Sequence, residues 1–313
     1  MSHRWKTLLA FGIIYFVWGS TFLAIRVGVL AMPPLLFAAI RFFTAGLVLV
    51  AWTAFRHEPW PKGREWGSIC LLAALIFVGD YGLLFWAEQK VPSGITAVMM
   101  ATIPAFIAIG EVVFLRTARM TLQLASALVI GLTGVVVLMS RSLNLGGAAI
   151  SAVGAVALII AAVFWSTASV ITRKLPLPSS KVLSSGAQML AGGVMLAVVS
   201  MAFGEPRRFH PAAVSGQAWF SLMYLIVMGS IVGFTSYVWL IHHESPTKVG
   251  TYAYVNPVVA VLIGYFFAGE PLGLRTILGT VLVLASVLLI TVGKPTQRKT
   301  ETERRIGSEP CAD

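Results

Sequence analysis

Long, uninterrupted apolar runs separated by short polar connections set the pattern of this chain. Ten of them, at about residues 7–26, 34–54, 67–88, 92–114, 120–140, 148–172, 182–203, 217–241, 248–268 and 275–293, are long enough to span a bilayer. A helix needs about 20 mostly apolar residues to cross a ~30 Å hydrocarbon layer. Barrel strands would instead alternate lipid-facing and lumen-facing residues with a period of two. Breaker clusters fall between the runs, at Met32-Pro33-Pro34, Pro59-Trp60-Pro61, Lys90-Val91-Pro92, Pro176-Leu177-Pro178 and Glu205-Pro206. The pattern predicts an all-α integral membrane protein with ten transmembrane helices.

The runs also repeat. Phe16-Val17-Trp18-Gly19-Ser20-Thr21 and Arg26 return as Phe164-Trp165-Ser166-Thr167-Ala168-Ser169 and Arg173, at a spacing of 147 that also carries Gly46 onto Gly193. A spacing of 153 carries Trp86 onto Trp239 and Pro104 onto Pro257, the increase matching a longer seventh connection. Five helices per half is an odd number, so the second half enters the membrane in the opposite sense. The prediction is two inverted five-helix repeats, residues 1–141 and 147–293, followed by a basic tail at 294–313.

Composition agrees with lipid as the main solvent: 58% of residues are hydrophobic, 11% are charged and the mean hydropathy is +0.86. The net charge of +11 does not point to nucleic acid, because the basic residues are spread over short loops and the tail. Sixteen Lys and Arg fall on one side of the ten-helix path and six on the other, which places both termini in the cytoplasm. The opening run follows Arg4 and Lys6 as a signal peptide would, yet it is too long for one and ends without a small-residue cleavage site. It is read as a helix that stays. The tail is expected to be disordered and to touch anionic membrane lipid.

Cys70 and Cys311 provide neither a disulfide framework nor a zinc spacing, and His242-His243-Glu244 is not a zinc-peptidase motif. There is no phosphate-binding loop, so no cofactor and no metal are expected, and ATP-driven pumping by this chain alone is disfavoured. Gly229 and Gly233 form a G-x-x-x-G, a packing motif compatible with a monomer or a weak homodimer.

Charges inside a bilayer are expensive, so each one draws attention. Arg41 in helix 2 and Glu88 near the end of helix 3 are placed to pair, either as a structural ion pair or as a gate and carboxylate contact. Asp80 is deeper, beside Tyr81 and Gly82, and reads as a proton carrier or amine ligand, or as a carboxyl bonded to small polar neighbours. Glu111 sits where it can snorkel to headgroups. Trp18 and Trp165 lie well inside their helices next to small residues, Ser20 among them, and suit a cavity wall; Trp86 and Trp239 suit an interfacial belt. Helix 9 carries Tyr252, Tyr254, Asn256 and a kinking Pro257, matched by Pro104 in helix 4.

These stretches resemble a known family. Val17-Trp18-Gly19-Ser20-Thr21, Ile40-Arg41-Phe42, Ala87-Glu88-Gln89-Lys90-Val91-Pro92-Ser93-Gly94-Ile95, Tyr252-Ala253-Tyr254-Val255-Asn256-Pro257-Val258-Val259-Ala260 and Gly269-Glu270-Pro271-Leu272 follow, in order, the ten-helix drug/metabolite exporters built from two EamA domains, and most closely their YedA-like inner-membrane branch. The resemblance implies a secondary transporter of the bacterial cytoplasmic membrane that exports small metabolites through a central cavity between the halves. Ser166 stands where the first repeat has Gly19, and Gln188 where it has Arg41, so a charge-binding role is asymmetric.

The expected site is a cavity for an amphipathic small molecule lined by Trp18, Ser20, Met99, Trp165, Tyr252, Tyr254 and Asn256. In it Arg41 orients a carboxylate, Glu88 holds Arg41, and Asp80 senses an amine or a proton. A membrane-embedded enzyme acting on a lipid-linked substrate, a channel and an uptake carrier are the rivals. The scattered charges disfavour the enzyme.

Overall fold

The computed structural model describes residues 3–110, 112–113, 120–139, 151–172, 174–243, 252–270 and 272–292. Glu111, the basic tail from 294 and the side chains of Tyr254 and His242 lie outside the described residues.

In chain order the long helices are α1 (Arg4–Ala31), α2 (Pro34–Phe55), α3 (Gly63–Glu88), α4 (Ser93–Gly110), α5 (Leu122–Met139), α6 (Ala152–Thr172), α7 (Lys181–Ala202), α8 (216–243), α9 (Tyr252–Ala268) and α10 (Leu274–Val292). No strand occurs among the described residues. Seven of these, α1 to α4 and α6 to α8, are long and apolar enough to cross a membrane; α5, α9 and α10 hold shorter apolar stretches of 10–17 residues. The seventh connection is long, as the change of repeat spacing implies, and carries single turns at Glu205–Arg208 and Pro211–Ala213.

Helix starts follow local chemistry. Pro34 opens α2 at the position where a missing N–H is harmless, and Ser180 and Ser215 cap α7 and α8 by accepting from Leu183 N at 3.2 Å and Ala218 N at 3.3 Å. Interior turns are less regular. Wide π-helical turns occur at Ile13–Val17, Ala74–Tyr81 and Leu225–Val232, in α1, α3 and α8. In α4 the helix breaks at Ala101-Thr102, just before Pro104, whereas α9 runs on through Pro257. The two prolines predicted to act alike therefore do not: only the first accompanies an interruption.

Packing crosses between the halves. α2 lies along α7, α5 along α10, and α4 along α9, each pair matching in the sequence repeat. α1 packs on α8 and α9, and α6 packs on α3 and α4. Lipid tails are as apolar as leucine, so close helix contact depends on small residues. A Cβ on Gly46 would meet the Leu190 backbone, and one on Gly193 would meet the Phe43 backbone. Gly46→Leu is therefore expected to destabilise the fold by about 3 kcal/mol or to prevent folding, since backbone cannot yield as a side-chain tip can. Gly63, where an added Cβ would meet nothing within 4 Å, is the control: Gly63→Ala should leave thermal unfolding in detergent unchanged.

The G-x-x-x-G of α8 does not form a free dimerisation face. A Cβ at Gly229 would meet Thr21 at 3.0 Å and Arg41 at 3.2 Å, and Gly233 abuts Trp18, so the motif admits α1 and α2 side chains of its own chain.

Candidate functional site

Arg41 is 3% exposed on α2. Its Nε donates to Ser230 Oγ at 3.1 Å, while Nη1 is buried without an acceptor. The guanidinium lies 4.7, 5.6 and 5.9 Å from the ring centroids of Phe42, Tyr81 and Phe85. Such a cage favours a cation through the negative ring faces. It supplies no counter-ion. Among the described residues the one ion pair is Arg26 with Glu270, so no described carboxylate pairs with Arg41. The expected direct bridge from Glu88 is not made: Glu88 is 0% exposed and neither carboxylate oxygen has a hydrogen-bond partner.

Trp18 reaches the same α8 segment. Its Nε1 donates to Gly229 O at 3.1 Å, and its ring meets Tyr237 at 5.2 Å and Tyr252 at 5.3 Å, edge-on to the latter. Tyr237 and Tyr252 complete the triangle at 6.0 Å. Ser20 shares a 2.6 Å hydrogen bond with the Tyr224 hydroxyl and donates to Val17 O at 2.8 Å. Around Arg41, Tyr81 meets Phe42 at 4.6 Å and Trp165 at 6.0 Å. The two aromatic groups meet at Gly229, whose carbonyl bonds Trp18 and where an added Cβ would lie 3.2 Å from Arg41.

The structure thus brings Trp18, Arg41, Trp165 and Tyr252 into one neighbourhood, with Tyr81, Ser230 and Tyr237 as members that sequence reasoning did not select. Asp80 is 1% exposed on the π-helical turn of α3, and its Oδ1 has no partner. Asn256 is buried where α9 meets α1, its carbonyl 3.2 Å from a Cβ position on Gly19. Ser166, in the equivalent place of the other repeat, donates to Ile103 O at 3.1 Å, just beyond the break in α4. Met99 is fully buried in the hydrophobic core. Trp86 stacks under Lys90 Nζ at 4.1 Å and Trp239 on His243 at 4.1 Å, near the ends of their helices.

The end of the bundle at which α1 turns into α2 is laced together around Arg26. Its Nη1 donates to Glu88 O and Val91 O, both at 2.7 Å, and its Nε lies 3.5 Å from Glu270 Oε1. Glu270 in turn accepts from Ser93 N and Ser93 Oγ at 2.7 Å and from Gly94 N at 3.0 Å, capping α4. Glu205 caps α2 in the same way, accepting from Leu36 N at 2.7 Å. Each carboxylate follows a glycine in the left-handed region, Gly204 at φ 68° and Gly269 at φ 62°. A cavity of about 790 Å³ opens at this end between Pro34, Leu35, Gly82, Trp86, Phe203 and Arg208. No cluster suited to a metal ion occurs among the described residues.

Comparison with known proteins follows the same division. The profile of the EamA-like transporter family matches residues 5–140 and again 152–292. The uncharacterized inner membrane transporter YedA of Escherichia coli K12 is 36% identical over 283 residues, covering 90% of this chain and 89% of that one. The uncharacterized transporter YoaV of Bacillus subtilis is 26% identical over 91% of this chain and 97% of its own. Protein PecM of Dickeya dadantii is 26% identical over 88% of each. A solved crystal structure superposes with a TM-score of 0.61 over 98% of this chain and 100% of its own, a likeness of fold alone at 22% identity.

Proposed function

This chain belongs to the EamA-like transporter family, and from that premise we propose that it is a secondary-active exporter of small metabolites, amino acids or related amphipathic compounds, working by alternating access across the bacterial inner membrane. The observation that carries the reading is Arg41, buried in an aromatic cage with one nitrogen unpaired and no described carboxylate bonded to it. Leaving a buried charge uncompensated is strongly unfavourable, so a site of this kind is completed by an anionic ligand. A guanidinium holds a carboxylate through directed N–H groups, and the surrounding rings accept the apolar remainder.

The proposed frame is ten transmembrane helices in two inverted repeats, 1–141 and 147–293, with both termini cytoplasmic. The twofold family match and the exchange of helices between halves support the repeat. The excess of basic residues on one side supports the orientation. On that orientation the Arg26 end faces outward, and an exporter's site loads from the cytoplasm. Proteins built this way hold one midplane site and move the halves around it.

Counterflow in proteoliposomes tests the reading, with unlabelled amino acids and related carboxylates preloaded and labelled uptake followed. Saturable exchange is expected for one chemical class. Trp165→Ala and Asn256→Ala should lower it by about tenfold or more, because misplacing a bound substrate by about 1 Å already carries large penalties. Full exchange by folded variants would remove these residues from the site. An imposed pH gradient should stimulate exchange, and Asp80→Asn should abolish that stimulation; a gradient effect that survives the substitution would exclude Asp80 as the coupling group.

A further inference from the structure

None of Trp18, Arg41, Trp165 and Tyr252 lines the cavity of about 790 Å³ at the α1–α2 turn, so the aromatic site leaves it without a role. Its walls are apolar: Val78, Gly82 and Trp86 come from α3, and Val199 and Phe203 from the end of α7. From Trp86 down to Val78 is ~12 Å of helix at about 1.5 Å per residue. That is most of the ~15 Å depth of one leaflet's hydrocarbon. Leu30 and Phe203, also in the lining, are exposed, so the cavity is open to the surroundings. The cations stand at the helix ends above it. Arg208 belongs to the lining and its Nη2 donates to Phe203 O at 2.8 Å, Arg207 precedes it, and Lys90 Nζ lies 4.1 Å from the Trp86 ring centroid. All three are exposed, and among the described residues none forms an ion pair. The one acid in the lining, Glu205, is 5% exposed and already accepts from Leu36 N at 2.7 Å and Ser200 Oγ at 2.8 Å.

We propose that this cavity binds an anionic phospholipid, with the phosphate at Arg208 and Lys90 and an acyl chain along α3 beside Trp86. Unpaired cations at headgroup depth over an apolar slot one leaflet deep match an amphiphile whose charge is negative. A soluble anion would leave the apolar wall unused, and a zwitterionic lipid would leave the cations without a net counter-charge. Tryptophan at the boundary between chain and headgroup suits the same depth. On the proposed orientation the lipid comes from the outer leaflet, but the binding chemistry does not depend on that orientation. Because α3 belongs to one proposed repeat and α7 to the other, the occupant touches both halves and favours whichever state keeps the cavity open.

Trp86 lines the cavity and reports on it. Phosphatidylglycerol brominated along its acyl chains is titrated into the purified protein in detergent, and the tryptophan quenching that is lost in Trp86→Phe measures occupancy. Half-quenching should need about tenfold less phosphatidylglycerol than phosphatidylcholine with the same chains. Arg208→Gln should weaken phosphatidylglycerol about fivefold and leave phosphatidylcholine unchanged, whereas Arg208→Lys, which keeps the charge, should stay within about twofold of the parent. Glycerol 3-phosphate, a headgroup without chains, should not displace the lipid. Equal quenching by the two lipids would mean ordinary boundary lipid, and displacement by glycerol 3-phosphate would mean a site for soluble anions; either overturns the proposal. So does quenching that is the same in the parent and Trp86→Phe, or an Arg208→Gln variant that binds phosphatidylglycerol as the parent does. If Arg208→Gln yields no folded protein, the lipid comparison and the competition, both made on the parent, decide the matter. No transport is measured, so a failure of the exporter reading in counterflow leaves these results as they stand.

Discussion

Arg41→Gln should lower saturable exchange of carboxylate substrates by about a hundredfold or more while leaving the protein folded. Truncating one partner of a buried, charge-assisted contact typically removes about 2–5 kcal/mol, and each ~1.4 kcal/mol is a factor of ten. Folding should survive because glutamine already stands 147 positions on: Gln188, on α7, bonds Ser184 Oγ at 3.1 Å. The substitution also removes a buried cation whose Nη1 has no acceptor, relieving the empty site. Arg41→Lys should fall between, about tenfold below the parent, since an ammonium keeps the charge but loses the planar fork and the Nε–H that reaches Ser230. The decisive measurement compares a carboxylate with its uncharged amide in counterflow. The parent should strongly prefer the carboxylate and Arg41→Gln should not; a preserved preference would place anion binding elsewhere.

The residues that hydropathy alone could single out were those that break its rule. Arg41, Asp80 and Glu88 stood out because charge in lipid is costly, and Trp18 and Trp165 because a repeat displayed them twice. All five are partly or fully buried in the bundle. What hydropathy cannot convey is direction. Lipid and protein interior are equally apolar, so the pattern does not say which helix face turns inward. Met99 therefore read as cavity wall and lies in the core, and the Gly229 and Gly233 pair read as a packing motif without a partner and admits Arg41 and Trp18.

Arg26 entered the sequence argument as a repeated position and as one of the charges that set topology, because nothing in its neighbours marks it as a partner of residues 62, 65 and 244 positions away. Glu270 was legible as part of a family motif but not as a helix cap, since the capped residues Ser93 and Gly94 belong to the other half. The π-helical turns left no trace in hydropathy. They shift a helix face by a fraction of a turn without changing composition, and two of them carry Asp80 and Ser230 to their places.

Glu270→Ala should be the most destabilising single change outside the hydrophobic core, by about 2–4 kcal/mol. Three donors, Ser93 N, Ser93 Oγ and Gly94 N, lose their acceptor together, and hydrogen bonds to a charged group contribute about 1.5–3 kcal/mol each before the losses are shared. Water replaces some of this, because the Glu270 side chain is 12% exposed. The ion pair to Arg26, 23% exposed and 3.5 Å long, adds at most about 1 kcal/mol. Arg26→Gln should accordingly cost less than Glu270→Ala. The charge reversal Arg26→Glu/Glu270→Arg should restore little, because an arginine cannot accept from the α4 N-terminus whatever it offers to residue 26. Thermal unfolding in detergent, read by tryptophan fluorescence, distinguishes the two roles of this carboxylate. If the reversal recovers parental stability, the ion pair dominates and the cap is incidental. If it remains as unstable as Glu270→Ala, the cap dominates, and the arm to Arg26 adds little to stability.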